Sequence, residues 1–189
     1  AKLGSYHLTK IYRESYGIFA CNGILFNHES EFRGENFLTR KATKFVAKYS
    51  INKSGILYLG NIDAYRDWGY APDFVEGIWK ILQHKKPDDF VLSSGLTFQV
   101  KEFVRLAFKF IGVDLKLKKI GKHYIGYNSL NNKVILKTLD YYHRPNEVDY
   151  LKGNYSKAKR ILKWKPKCDI NKLIQIMINN DLKSLQRTL

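Results

Sequence analysis

The segment Gly23–Lys41 constrains the fold most strongly, because an apolar run ends inside it and a charged loop follows at once. The run stops at Asn27-His28, and the residues after it include acids, two arginines and a lysine. This pattern is typical of a strand that delivers side chains to a ligand, since open α/β sheets bind ligands outside the carboxyl ends of their strands. The sequence therefore predicts a binding site directly after this strand.

Apolar residues along the chain alternate between helical and extended spacing. The clearest amphipathic helix is predicted over 100–111 and ends before Gly112. Residues 63–71 are predicted to form a polar loop. Between 113 and 142 the pattern predicts short strands and turns. Helices are predicted over 2–16, from 35 or 36 to 49, over 72–84, 100–111, 156–162 (capped by Ser156) and from 170 onward, and strands over 18–26, 56–59, 90–93 and 134–137. Helices alternating with short strands indicate an α/β fold.

The chain is long enough to bury a core, since it has 189 residues of which 44% are apolar. No apolar run approaches the roughly 20 residues that span a bilayer, so we expect no membrane partner. Cys21 and Cys168 stand far apart in the sequence, with no His or Cys at metal-ligand spacing. We therefore expect reduced thiols, no metal site and a cytoplasmic location.

The net charge of +16 raises the hypothesis of a nucleic-acid partner. The 33 basic residues divide into 25 Lys and 8 Arg, however, and the lysines are scattered along the whole chain. This distribution favours solvated helix faces over a nucleic-acid interface. The charge would still attract a polyphosphorylated ligand over a long range.

Three predicted loops, 27–41, 65–69 and 143–148, concentrate polar and aromatic side chains. The basic residues in them suit a diphosphate, because Arg offers a planar fork for bidentate contacts and Lys a point charge. Glu147 would instead accept hydrogen bonds from sugar hydroxyls or a base edge. The candidate phosphate-binding residues are Arg33, Lys41, Arg66 and Arg144.

Each of these loops also has a structural interpretation. The pair Arg66-Asp67 fits a local ion pair that fixes a turn as well as it fits a ligand contact. Arg144-Pro145 is compatible with a simple extended connection, because the residue before proline is held out of the helical region. His28 alone would be a hydrogen-bonded structural histidine. Three such loops in one α/β chain nevertheless favour a shared binding site.

Three runs of sequence carry a resemblance to a known family: NGILFNHESEFRGENFLTRK, LGNIDAYRDWGYAPDFVEGIW and RPNEVDYLKG. Together they resemble the GDP-mannose 4,6-dehydratases, a family of extended short-chain dehydrogenases/reductases, from Ala1 to about Asp181. NHES followed by RGENF and TRK is characteristic of this family, whereas RDWG and RPxEV are shared with other nucleotide-sugar enzymes. The chain departs from the family pattern where Glu31-Phe32 stands in place of Pro-Arg.

The resemblance implies the C-terminal part of a Rossmann-like α/β fold with a small nucleotide-sugar-binding subdomain. The chain would be one incomplete unit over 1–189, without the N-terminal NADP-binding half, and inactive by itself. In this division about 1–30 and 72–93 end the NADP-binding domain. About 31–71 and 94–180 then form the substrate subdomain.

The same resemblance implies the roles of individual residues. Lys2 would be the lysine of a YxxxK motif, a catalytic residue that bonds the nicotinamide ribose and lowers the pKa of a tyrosine four residues earlier, outside this chain. His28 and Arg33 would contact NADP. The arginines at the substrate would bind the diphosphate and Glu147 the ribose. The implied substrate contacts are Asn27, Leu38, Lys41, Arg66, Arg144 and Glu147.

The activity implied by the resemblance is the NADP-dependent conversion of GDP-D-mannose to GDP-4-dehydro-6-deoxy-D-mannose. This redox-neutral lyase reaction leads toward GDP-fucose and other deoxysugars. The implied partners are GDP-mannose and further copies of the protein in a dimer or tetramer, but no nucleic acid. The alternatives are another nucleotide-sugar dehydratase or epimerase of the same family and, in a different class, a non-catalytic basic module that binds polyanions.

Overall fold

The computed structural model describes residues 1–143 and 146–187. Within them helices and strands alternate, as the sequence predicts for an α/β fold. The helices are α1 (Lys2–Tyr16), α2 (Leu38–Asn52), α3 (Ala71–Leu82), α4 (Val100–Phe110), α5 (Ser156–Leu162) and α6 (Ile170–Gln186), with a 3-10 turn at Asp140–Tyr142. The strands are β1 (Gly23–Leu25), β2 (Asn27–Glu29), β3 (Leu57–Leu59), β4 (Tyr65–Arg66), β5 (Trp68–Tyr70), β6 (Phe90–Leu92), β7 (Phe98–Gln99), β8 (Leu115–Ile120), β9 (His123–Asn128) and β10 (Val134–Thr138).

Helix ends follow from local sequence signals. α1 ends as predicted at Gly17, which has a φ of 64° in the left-handed region that glycine adopts without a steric penalty. At the start of α4 the backbone N–H of Gln99 donates to the Glu102 carboxylate at 2.9 Å, which is half of a capping box. The prediction that Ser156 caps α5 is wrong. Its backbone N–H instead donates to the side-chain oxygen of Asn154 at 2.9 Å.

One strand prediction and one loop prediction also need correction. The strand predicted over 18–26 is shorter, because β1 pairs with β6 only from Gly23↔Phe90 to Leu25↔Leu92. The segment 63–71, predicted as a loop, contains β4 and β5. These strands are two and three residues long, too short to give the alternation by which a strand is recognised in sequence.

The chain divides into two compact units, each built from separate chain segments. The first unit comprises residues 1–28, 67–97 and 152–169. It contains the parallel pair β1–β6, together with β5 and the first two residues of β2. The indole N–H of Trp164 donates to the Asp73 carbonyl at 2.8 Å, which satisfies a polar group inside the core. The buried core consists of Phe74, Ile81, Phe90, Leu92, Ala158, Leu162 and Trp164.

The second unit comprises residues 29–66, 98–151 and 170 onward. Its four-stranded sheet has the order β3-β10-β9-β8, in which β3 and β10 are parallel and the other pairs antiparallel. Helices α2, α4 and α6 pack against one another. Within the described residues, none of the helices is long and apolar enough to cross a membrane, and no three metal-ligating side chains come together.

Candidate functional site

The carboxyl ends of two parallel strands form one edge of the sheet in the second unit. Register pairs Leu57 with Leu136 and Leu59 with Thr138, so β3 and β10 end together. Gly60 follows β3, and the turn Asp140–Tyr142 follows β10. A Cβ atom on Gly60 would lie 2.2 Å from the Tyr142 carbonyl oxygen, so only glycine permits this close approach. The glycine therefore sets the position of the turn at the strand ends.

Lys41 projects from the first turn of α2 toward this edge. Its Nζ lies 3.7 Å from the centroid of the Tyr142 ring, a cation–π contact. The side chain is half-buried, and this desolvation lowers the pKa of the ammonium. No carboxylate in residues 1–143 or 146–187 forms an ion pair with it. A desolvated cation at the carboxyl ends of strands favours an anionic ligand.

Arg66, at the end of β4, holds the segment that contains Glu147. Its Nη2 donates to Oε1 of Glu147 at 2.7 Å, and its Nη1 donates to the carbonyls of Val148 at 2.6 Å and Tyr65 at 2.8 Å. These contacts use three of the five N–H groups of a guanidinium. The structure thus brings two predicted site residues together, and the two other N–H groups of Arg66 have no acceptor among the described residues.

Arg33 is oriented by its neighbours in the loop before α2. Its guanidinium carbon lies 3.5 Å from the centroid of the Phe37 ring, and its Nε lies 3.2 Å from Oε2 of Glu29. The Glu29 side chain is only 3% exposed, and it also accepts a hydrogen bond from Thr39 at 2.6 Å. Leu38, another predicted site residue, is half-buried in the first turn of the helix.

The same loop is held by Arg40, whose role the sequence reasoning missed. Nη1 of Arg40 donates to the carbonyl of Glu31 at 2.6 Å, and Nη2 lies 2.9 Å from Asp181. Asn180 donates to the Glu31 carbonyl as well, at 3.3 Å. Burial raises the pKa of Asp181, partly offset by Arg40. Because these contacts use the backbone of Glu31, they do not depend on its side chain, while Phe32 is 86% exposed.

The first unit holds three further predicted site residues, namely Lys2, Asn27 and His28. Nδ1 of His28 lies 2.8 Å from the Phe26 carbonyl, which can only accept, so Nδ1 carries the proton and Nε2 is the remaining ring nitrogen. The ring stacks on Phe74 with centroids 5.2 Å apart. Asn27 is half-buried beside it in β2, and Lys2 is exposed in the first turn of α1.

Asp67 is a structural centre of the first unit. Its buried carboxylate accepts from the backbone N–H and the hydroxyl of Ser94, at 2.7 and 2.6 Å, and from the amides of Gly95 and Gly153, both at 3.0 Å. The local ion pair with Arg66 that the sequence allowed is therefore wrong, since each side chain binds other partners. Asp67 was not predicted to join these segments, and only its place in RDWG singled it out.

Among the described residues, the structure therefore brings some predicted site residues together and places residues that were not predicted beside them. Arg66 and Glu147 touch directly, and Lys41 lies over the turn at the strand ends. Arg144 lies outside the described residues. Tyr142 and Gly60 were missed, because an aromatic residue before a polar loop and a glycine after a strand occur widely without a binding role.

A protein-family model for GDP-mannose 4,6-dehydratase matches residues 1–177 of the chain. A GDP-mannose 4,6-dehydratase of Dictyostelium discoideum is 46% identical over 98% of this chain and 52% of its own length. The human protein of the same name is 43% identical over 100% of this chain and 50% of its own length. The chain thus spans about half the length of the relatives it matches.

Solved structures show a similar fold. An RMD protein of Pseudomonas aeruginosa, complexed with NADPH, superposes with a TM-score of 0.76 at 16% identity, over 96% of this chain and 54% of that one. A dTDP-glucose 4,6-dehydratase of Bacillus anthracis, in complex with NAD, gives 0.73 at 14% identity, over 96% and 50%. The predicted fold class is therefore confirmed: α/β, of the Rossmann-like type found in extended dehydratases and epimerases.

Proposed function

This chain belongs to the GDP-mannose 4,6-dehydratase family, and from that premise we propose that the protein converts GDP-D-mannose to GDP-4-dehydro-6-deoxy-D-mannose with NADP. The product is a precursor of GDP-fucose and other deoxysugars. Because the chain spans about half the length of its relatives, the activity is proposed for the whole protein. The residues of the second unit would bind the nucleotide sugar.

The observation that carries this proposal is the environment of Lys41. Its half-buried ammonium lies over the Tyr142 ring and forms no ion pair with a carboxylate among the described residues. Burial disfavours the charged form of Lys41, so an anion bound beside it would stabilise that form and gain affinity. A diphosphate at the ends of β3 and β10 meets this requirement. It also matches the position at which open α/β sheets bind their ligands.

Arg66 and Glu147 would bind two different groups of the nucleotide. The Arg66 donors that protein acceptors leave unused would bind a diphosphate oxygen, while Glu147 holds the guanidinium in place. Oε2 of Glu147 would accept a ribose hydroxyl, because a carboxylate has acceptor capacity beyond one hydrogen bond. By family membership Asn27, Leu38 and Arg144 would complete the substrate contacts.

The nicotinamide cofactor would be held by Lys2, His28 and Arg33. The orientation of Arg33 between Glu29 and Phe37 supports its part in this proposal, because it prepares a cation for a phosphate. Nε2 of His28 would accept a hydrogen bond, since its Nδ1 donates to the Phe26 carbonyl. Lys2 would donate to the nicotinamide ribose and stabilise a nearby anion. When bound, NADP supplies a reversible hydride acceptor.

We further propose that the protein is a cytoplasmic homo-oligomer. Cys21 and Cys168 form no disulfide with each other, which agrees with a reducing compartment. α1 exposes an apolar face that includes Leu3, Leu8 and Ile11, at 71%, 56% and 53% exposure. A dimer or tetramer would cover this face. Sedimentation velocity on the protein should give a mass at least twice that of one chain.

Calorimetric titration with GDP-mannose and UDP-glucose tests the proposed function. GDP-mannose should bind, and UDP-glucose should bind at least tenfold more weakly. Lys41→Gln should weaken GDP-mannose binding about tenfold or more, because a charge-assisted contact contributes about 1.5–3 kcal/mol. Lys48→Gln is the matched control, since Lys48 lies exposed on the same helix and should leave the affinity unchanged.

Two outcomes would contradict the proposal. Tighter binding of UDP-glucose than of GDP-mannose would reject the substrate, and would favour another nucleotide-sugar enzyme of the same fold. Equal effects of Lys41→Gln and Lys48→Gln would instead remove Lys41 from the site. Circular dichroism of both variants verifies that each one is folded like the wild type.

A further inference from the structure

A groove runs beside the edge of the sheet in the second unit, and none of the residues that line it is a candidate site residue. Its volume is about 830 Å³. One wall is the last part of α4, including Arg105, Leu106 and Lys109, and the other is the start of β8. Both walls belong to the second unit. The groove is therefore a feature of that unit alone.

The strand that forms one wall is a sheet edge. β8 is last in the order β3-β10-β9-β8, and its register partners all lie on β9, from Leu115↔Asn128 to Ile120↔His123. In the described part of the chain, the other side of β8 pairs with no strand. An edge strand presents backbone N–H and C=O groups that another extended segment can pair with. Peptides are bound by strand addition at exposed sheet edges of this kind.

The charges of the groove select the kind of peptide. Arg105 and Lys109 are exposed one turn apart on α4, and like charges at this spacing repel. Neither they nor Lys116 on β8 forms an ion pair with a described carboxylate, and Asp114 is the one acid that lines the groove. Lysines on an edge strand oppose unspecific pairing with other strands. The same charges attract an acidic segment.

Apolar side chains complete the surface. Leu106 on α4 and Leu117 on β8 line the groove and are half-buried. Side chains of an added strand point alternately to opposite sides, so a segment that alternates acidic and apolar residues can satisfy cations and leucines together. A uniformly charged polyanion would satisfy the cations alone.

We propose that this groove binds an extended acidic peptide segment of a partner protein, added as a strand to β8. The carboxylates of the peptide contact Arg105, Lys109 and Lys116, and its apolar side chains pack on Leu106 and Leu117. This binding function goes beyond the proposed catalysis, because none of these residues contributes to the nucleotide-sugar site.

Fluorescence anisotropy with a labelled eight-residue peptide of alternating Glu and Val tests the proposal. The peptide should bind the protein, and Arg105→Glu/Lys109→Glu should weaken binding at least tenfold. Lys85→Glu/Lys86→Glu is the matched control, with the same change in net charge at exposed lysines of the first unit. It should change the affinity less than twofold. A peptide N-methylated at alternate residues keeps its charge but cannot form the backbone pairing, and should bind at least tenfold more weakly.

Three results would overturn the proposal. The absence of binding by the Glu-Val peptide would exclude an acidic segment. Equal loss in the two double variants would mean that only net charge matters. Equal binding of the N-methylated peptide would indicate a general polyanion surface in place of strand addition. Thermal unfolding of each variant, expected within a few degrees of the wild type, separates lost binding from lost folding.

Discussion

Replacement of Asp89 should measurably destabilise the first unit, because its carboxylate is held by an ion pair and by hydrogen bonds. The Arg13 guanidinium binds its carboxylate through two contacts, at 2.7 and 3.1 Å, and Asn22 donates from its backbone and its side-chain amide, both at 3.0 Å. The Arg13 and Asp89 side chains are only 13% and 14% exposed. The hydrogen bonds from Arg13, opposed by burial and assisted by Asn22, lower the pKa of Asp89 from 3.8 to about 2.

The size of this effect follows from the pKa. Since one unit of pKa corresponds to about 1.4 kcal/mol, the ionised form of Asp89 contributes about 2 kcal/mol to the free energy of unfolding. The folded pKa lies below the unfolded value, so this contribution is present above about pH 4 and is lost as the pH falls toward 2. We predict that Asp89→Asn lowers the free energy of unfolding by about 2 kcal/mol at pH 7.

Urea unfolding followed by tryptophan fluorescence measures the effect where it occurs. The three tryptophans, Trp68, Trp79 and Trp164, all lie in the first unit with Asp89. The difference between wild type and Asp89→Asn should be largest at pH 7 and should shrink as the pH is lowered from 5 toward 2. The wild type loses the contribution over that range, whereas the variant has none to lose.

The neighbouring Asp88 provides the matched control. It pairs with Lys157 at 2.6 Å, but these side chains are 41% and 39% exposed. Asp88→Asn should therefore cost less than about 1 kcal/mol, as expected for a solvated ion pair. A loss at Asp89→Asn no larger than at Asp88→Asn would refute the reasoning, and so would a difference between Asp89→Asn and wild type that does not change with pH.

Two further substitutions test how the strand ends and the Asp67 centre are held. Gly60→Ala should lower the free energy of unfolding by about 1–3 kcal/mol, because its Cβ would lie 2.2 Å from the carbonyl of Tyr142; Gly4→Ala, with nothing within 4 Å, should stabilise α1 slightly in the same denaturation series. Asp67→Asn should cost about 2–3 kcal/mol and lower the melting temperature, because its amide nitrogen would face an N–H donor such as that of Gly153. An unchanged melting temperature would show that the carboxylate does not join these segments.

The helices could be predicted from the sequence where one apolar face is buried. α4 was predicted over 100–111 and extends over Val100–Phe110, because its buried residues recur at helical spacing. The short strands were not predictable in this way. β4 and β7 are two residues each and exist because they pair with each other. Their partners are distant in sequence, so local periodicity carries no sign of them.

The types of residue in the candidate site could be predicted from the sequence, but the residues that each of them contacts could not. Arg66 and Glu147 were recognised as polar groups suited to a nucleotide, yet their hydrogen bond joins positions 81 residues apart. Tyr142 under Lys41 was missed, because its role depends on the turn that Gly60 admits. Chemistry is visible in single residues, whereas the burial and orientation that tune it arise only when separate segments meet.

The Asp67 carboxylate has a consequence for the order in which the protein is made. One of its four hydrogen bonds comes from the amide of Gly153, 86 residues further along the chain. During synthesis the ribosome releases residues 29–66 and 98–151 before this donor emerges. Residues 1–28 and 67–97 of the first unit therefore cannot complete their packing until residues 152–169 have been synthesised. Long-range closures of this kind slow folding and lengthen the exposure of apolar surface. We therefore expect a nascent chain to depend on chaperones until residues 152–169 have emerged and the first unit can close.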